Sequence, residues 1–135
     1  MRRPLRRSAA TLPTRFAAAV VPTGILETRA AIDTVRSLQI HEPVVFLAFL
    51  DPYRVYLGDN YRDVKHLEKI GTPFSVFLEQ QDINMIWVSD KLTNSPGYID
   101  DFEFRDFLGN PSGYGFRRVE IPTVDSWLLV KTDLE

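Results

Sequence analysis

The sequence contains no cysteine and only two histidines, His41 and His66. Without thiols the chain forms no disulfide, no thiolate metal site, no iron–sulfur cluster and no cysteine nucleophile. Two imidazoles are too few for a site built on several histidines, which sets zinc enzymology aside. Phosphate-binding loops are also missing: no GxGxxG follows a strand pattern, and GxxxxGK[ST] occurs nowhere. There is no GxSxG elbow, so a serine triad would have to recruit one of the two histidines by another route. Long apolar runs are absent as well. Nothing approaches the about 18 apolar residues of a membrane span, and Phe16 to Val21 is about half the length of a signal-peptide core. The expectation is a chain that, as given, neither spans nor crosses a membrane and carries no cofactor.

What is present fits one globular core. A chain of 135 residues, 44% hydrophobic and 25% charged, removes roughly two-thirds of its unfolded surface from water. The net charge of −2 conceals an asymmetry. Arg2, Arg3, Arg6, Arg7 and Arg15 all precede Glu27, the first acidic residue, so the remainder carries −7. Residues 1–22, punctuated by Pro4, Pro13 and Pro22, read as a basic arm or linker. Such an arm suits either plain solvation or an anionic surface, whereas the acidic body repels nucleic acid. Residues 23–133 read as a single domain. Leu134-Glu135 resembles the pair that a cloning site leaves, which points to a domain cut from a longer protein.

Ile25, Ala31, Ile32, Val35 and Leu38 stand at helical spacing after Thr23-Gly24 and predict a first helix. Residues 44–50, VVFLAFL, are apolar throughout, rich in β-branched and aromatic residues, and stopped by Asp51-Pro52. They predict a strand buried on both faces, as in the centre of a parallel sheet. Residues 53–57 suit either a short strand or a helix. Tyr61 to Ile70, with Val64, Leu67 and Ile70 at helical spacing, predicts a helix ending at Gly71, and Thr72-Pro73 opens another with Phe74, Phe77 and Leu78 inward. Residues 83–89 form a second buried strand, again followed by aspartate, Asp90. After the Ser95-Pro96-Gly97 loop, Ile99 to Leu108 is an acidic helix stopped by Gly109-Asn110-Pro111. Phe116 to Ile121 and Ser126 to Lys131 form a hairpin around residues 122–125. The fold class expected is α/β: a three-layer sandwich with a mainly parallel central sheet and an antiparallel C-terminal hairpin at its edge.

Asp51 and Asp90 each follow a buried strand directly. In open α/β sheets ligands bind beyond the carboxyl ends of the strands, so the two carboxylates would share one edge. With Asp59 or Asp63 they would hold Mg²⁺ through oxygen, serving phosphoryl chemistry. The plainer alternative is an aspartate that caps the next helix or closes an Asx turn. The candidate ligand-binding residues are therefore Asp51, Asp59 and Asp90, with no resident metal expected. Tyr53, Tyr56, Tyr61, Arg54 and Arg62 would stack on a sugar or base, or else cover a sheet edge. The glycine-rich stretch 109–115 follows a helix and precedes a strand, so it reads as a loop.

Ile83-Asn84-Met85-Ile86-Trp87-Val88, Phe104-Arg105-Asp106-Phe107-Leu108, Gly115-Phe116-Arg117-Arg118-Val119 and Trp127-Leu128-Leu129-Val130 give residues 44–131 a recognisable layout. It resembles the soluble C-terminal domain that follows the membrane helices of some bacterial polytopic glycosyltransferases of the lipid-linked-sugar type. The resemblance implies an accessory, non-catalytic domain of a membrane-associated protein on the extracytoplasmic side, with the parent's membrane portion as partner. It carries no functional residue onto this chain. An arginine-rich arm beside a membrane helix would instead favour the cytoplasmic side. A small-ligand or Mg²⁺ enzyme and a protein-interaction module are the two other functions these residues suit.

Overall fold

The computed structural model describes residues 23–49 and 54–134, so the arm, Asp51 and Tyr53 lie outside the described residues. The chain divides into two compact units between Ala30 and Ala31, inside the first helix, α1 (Thr23–Ser37). The larger unit holds β1 (Val44–Ala48), α2 (Arg54–Leu57), β2 (Tyr61–Lys65), α3 (Phe74–Gln81) and β3 (Met85–Val88). It continues through α4 (Asp90–Thr93), α5 (Phe102–Gly109), β4 (Phe116–Glu120) and β5 (Trp127–Lys131). The ambiguous segment 53–57 thus contains one helical turn. The glycine-rich stretch contains a 3-10 turn at Pro111–Tyr114.

The fold is mixed α/β around one five-stranded sheet of order β2-β1-β3-β5-β4. β1 runs parallel to both β2 and β3, with Phe46 opposite Met85 and Leu47 opposite Ile86. β5 runs antiparallel to β3 and to β4, so the hairpin forms one margin, as its turn chemistry predicts. The two apolar runs are indeed adjacent interior strands pointing the same way.

The helix expected over 61–70 is a correction. Residues 61–65 are β2, and a 3-10 turn, His66–Lys69, follows. β1 is buried on both faces, and its backbone needs a hydrogen-bonding neighbour on each side. Tyr61 and Val64, both β-formers, are buried on opposite faces of the new strand. Leu67 and Ile70, which completed the helical spacing, are each 55% exposed. Their spacing reflects no buried helical face.

Strand alternation sorts the core into two faces. Leu47, Val64, Ile86, Val88 and Leu129 share one cluster with Phe74 and Phe77 of α3 and Phe104 and Phe107 of α5. The rings meet edge-on or tilted: Phe74 lies 4.9 Å from Phe104 and 5.0 Å from Phe107, and Phe107 lies 5.1 Å from Phe116. Such pairs are worth about 0.5–1.5 kcal/mol beyond the area they bury. The opposite face holds Val44, Phe46, Met85, Leu128 and Val130, all buried. Asn84 joins three segments just before β3: its Oδ1 accepts from the Val45 amide at 2.7 Å, and its carbonyl accepts from Lys131 at 2.9 Å. Leu134, the first of the two residues that resemble a cloning remnant, is 4% exposed and packs as part of the body.

Candidate functional site

β1 leaves the sheet toward β2 on one side, and β3 leaves toward β4 and β5 on the other. In open α/β sheets, ligands bind beyond the carboxyl ends of strands that part in this way. Asp90 sits at this edge, exposed, as the first residue of α4, whose cap is Ser89. Its neighbour in the proposed rim, Asp51, lies outside the described residues. Asp59 precedes β2 in an exposed turn and so belongs to the amino edge of the parallel strands, opposite Asp90. Asp63 lies within β2, paired in register with Phe46. The structure does not bring Asp59 and Asp90 together, and no group of three histidine, aspartate or glutamate residues suited to a metal occurs among the described residues.

His66, expected inside a helix, follows the carboxyl end of β2 and is buried. Its ring stacks on Phe49 at 4.4 Å with an interplanar angle of 19°, and its buried Nδ1 has no hydrogen-bond partner among the described residues. His41 is exposed in the loop before β1. The tyrosine–arginine stretch forms no common platform among its described members. Tyr61 is buried, which raises its hydroxyl pKa, while Tyr56 is exposed and its carbonyl accepts from Arg36 at 2.7 Å. Arg62 donates to the Gln81 carbonyl at 2.8 Å.

The densest polar arrangement lies where the 3-10 turn, the α3 N-terminus and the loop before α5 converge. Pro73, at the α3 N-cap, has no side-chain oxygen to offer the first amides of that helix. Asp101 and Glu103 supply the missing acceptors from another part of the chain. Asp101 Oδ2 accepts from the Phe74 amide at 2.9 Å, and Oδ1 caps α5 through the Phe104 amide at 3.1 Å. Glu103 accepts from the amide and hydroxyl of Ser75 at 3.1 and 2.9 Å. One carboxylate thereby anchors two helix starts.

Lys69 completes the knot. Its Nζ lies 2.6 Å from Asp101 Oδ2 and also donates to the carbonyls of Thr72 and Gly97, so all three ammonium donors are placed. The side chains of Lys69 and Asp101 are 2% and 9% exposed. Tyr98, wholly buried, lies beneath the ammonium at 5.0 Å and donates its hydroxyl to the His66 carbonyl at 3.0 Å. Burial raises the Tyr98 pKa far above its ordinary value, and the charges of Glu68 and Asp101 add to the rise. Burial would raise the Asp101 pKa too, but the Lys69 hydrogen bond and charge and the amides of Phe104 and Glu103 hold it below its ordinary value.

Above this knot opens a shallow groove of about 370 Å³, wide to solvent, with Thr72 and Pro73 on one side and Asp100, Phe102 and Glu103 on another. Gly71 and Gly97 also line it, both at positive φ, +86° and +87°, where a side chain would strain the backbone. Ile70 lies against Gly97, 3.6 Å from where a β-carbon would stand, and is half exposed. Phe102 is 81% exposed at the start of a helix whose other two phenylalanines are buried. The acidic helix expected from Ile99 begins at Phe102, and helical geometry from the Asp101 cap directs Phe104 and Phe107 inward and leaves Phe102 out. The expected helix from Ile99 put Asp101 inside it rather than at its cap, and nothing in the pattern marked Lys69 as buried.

Among the described residues, no helix is long and apolar enough to cross a membrane. No protein-family model, curated protein or solved structure matches the chain.

Proposed function

We propose that this chain is a non-catalytic accessory α/β domain that works by docking another protein, with the groove lined by Phe102 as its contact surface. The observation that carries the reading is Phe102, 81% exposed beside the groove. Aromatic side chains seated at an interface are the commonest energetic anchors of association. The most conspicuous cation beneath the groove, Lys69, spends all its donors on the fold and is no candidate for chemistry. The groove is at the low end of the volumes that hold small molecules and is open rather than enclosing, which suits side chains of a partner better than a buried ligand.

The wider setting of this proposal is a larger, membrane-associated bacterial protein of the lipid-linked-sugar glycosyltransferase kind, with the domain on the extracytoplasmic side and the parent's membrane portion within reach. The layout of residues 44–131 supports it, with α3 and α5 packed on the aromatic cluster at one face of the sheet. A Mg²⁺ or small-ligand enzyme would need Asp51 to stand beside Asp90 at the carboxyl edge.

A random peptide library panned against the intact chain tests the docking reading. It predicts enriched peptides that lose binding to the Ile70→Ser/Phe102→Ser variant. Enrichment of nothing, or of peptides that bind both forms equally, defeats it.

A further inference from the structure

We infer that the groove takes a basic protein segment, an extended stretch with one apolar side chain flanked by lysine or arginine; this rests on the docking reading above. Charge decides the partner. The groove lining contains three carboxylates, Asp100, Asp101 and Glu103, against the single ammonium of Lys69, which Asp101 already neutralises. Asp100 is exposed, and Glu68, also exposed, precedes Lys69 in the 3-10 turn. Arg105, the cation of α5, is not part of the groove lining, and its Nε and Nη2 donate to the Ile99 carbonyl at 3.1 and 2.6 Å.

Two other occupants fit less well. The starts of α3 and α5 would favour an anion, but Asp101 and Glu103 occupy those amides, so a phosphate or acidic peptide meets carboxylates instead. An anionic lipid surface is repelled for the same reason. Beyond the groove, the residues after 26 carry −7 and the whole chain −2, a sign that also suits a basic partner. The apolar contribution comes from Phe102 in the groove lining and from half-exposed Ile70, which lies against Gly97.

The test is a titration of the intact ¹⁵N-labelled chain with three synthetic peptides, each with one central leucine, flanked by lysines, serines or glutamates. The lysine peptide should shift the amides of Ile70, Gly97 and Phe102, with the serine peptide weaker and the glutamate peptide inert. Asp100→Lys should weaken the lysine peptide about two- to fivefold, the size expected of one exposed charge pair, and Phe102→Ala at least about fivefold. Raised salt should weaken it further. A serine or glutamate peptide that binds the same amides as tightly as the lysine peptide overturns the charge inference and leaves the docking face standing. No shift at those amides with any peptide overturns both. Broadening of the same amides on concentrating the protein alone assigns the face to a second copy and likewise overturns the inference.

Discussion

Lys69 and Asp101 meet at 2.6 Å with almost all of both side chains removed from solvent. The pair joins the turn after β2 to the loop before α5, and through the Asp101 carboxylate it fixes the start of α3 as well. A buried pair of this kind adds modestly to stability when intact but costs heavily when halved, because the surviving charge is left without its counterion.

Lys69→Met should therefore destabilise the domain by about 3 kcal/mol. Asp101→Asn keeps a capping side chain but strands the buried Lys69 ammonium without its counterion, and should cost a similar amount. The double variant should fall well short of the sum, because each single change already breaks the shared contact. Urea unfolding of all four proteins measures the coupling.

The depressed Asp101 pKa makes a second prediction, for acid. In the folded state the carboxylate holds its charge below the pH at which the unfolded chain takes up a proton. Between those two pKa values the unfolded state binds more protons, so stability rises with pH there and is lost as pH falls through the folded value. Stability curves for wild type and Asp101→Asn should stand furthest apart near neutrality and converge as the pH falls below about 4.

Tyr98 gives the opposite limb. Its pKa is raised on folding, first by burial, so its contribution is whole below the ordinary tyrosine value and is lost as pH rises beyond it. Tyr98→Phe removes the hydrogen bond to the His66 carbonyl and should cost about 1 kcal/mol at neutral pH. Above about pH 10 the variant should lose stability less steeply than wild type, as read by urea unfolding at successive pH values.

Two glycines separate backbone conformation from space. Gly97 has φ +87°, and a β-carbon there would make ordinary contact with Ile70, so Gly97→Ala should cost about 1–2 kcal/mol through the backbone alone. Gly109, the last residue of α5, has open space around its missing side chain. Gly109→Ala should gain about 0.5 kcal/mol through helix propensity. Thermal unfolding of the pair gives both signs.

The legibility of the fold followed how local its causes were. The buried runs around Phe46 and Ile86 announced interior strands because apolar continuity over a few residues is the signature of burial on both faces. The hairpin from Phe116 to Lys131 was equally plain from its turn. β2 was not, because Tyr61, Val64, Leu67 and Ile70 carry a helical spacing, and what makes residues 61–65 a strand is the free edge of β1, a tertiary cause. The aspartate rim was legible only as a place: Asp90 does stand at the carboxyl edge, while Asp59 is carried to the opposite edge by the direction of β2. Lys69 could not have been picked out at all. A lysine between Glu68 and Ile70 reads as a solvated charge until Thr72, Gly97 and Asp101 are folded around it.

The central claim is that Phe102 stands outside the core, with its ring free to make a contact. Urea unfolding of Phe102→Ser beside Phe104→Ser tests it most directly. The account predicts that Phe102→Ser stays within about 0.5 kcal/mol of wild type, as surface changes do, while Phe104→Ser loses about 3 kcal/mol or more. A loss of similar size at Phe102 would make it a core residue and contradict the account.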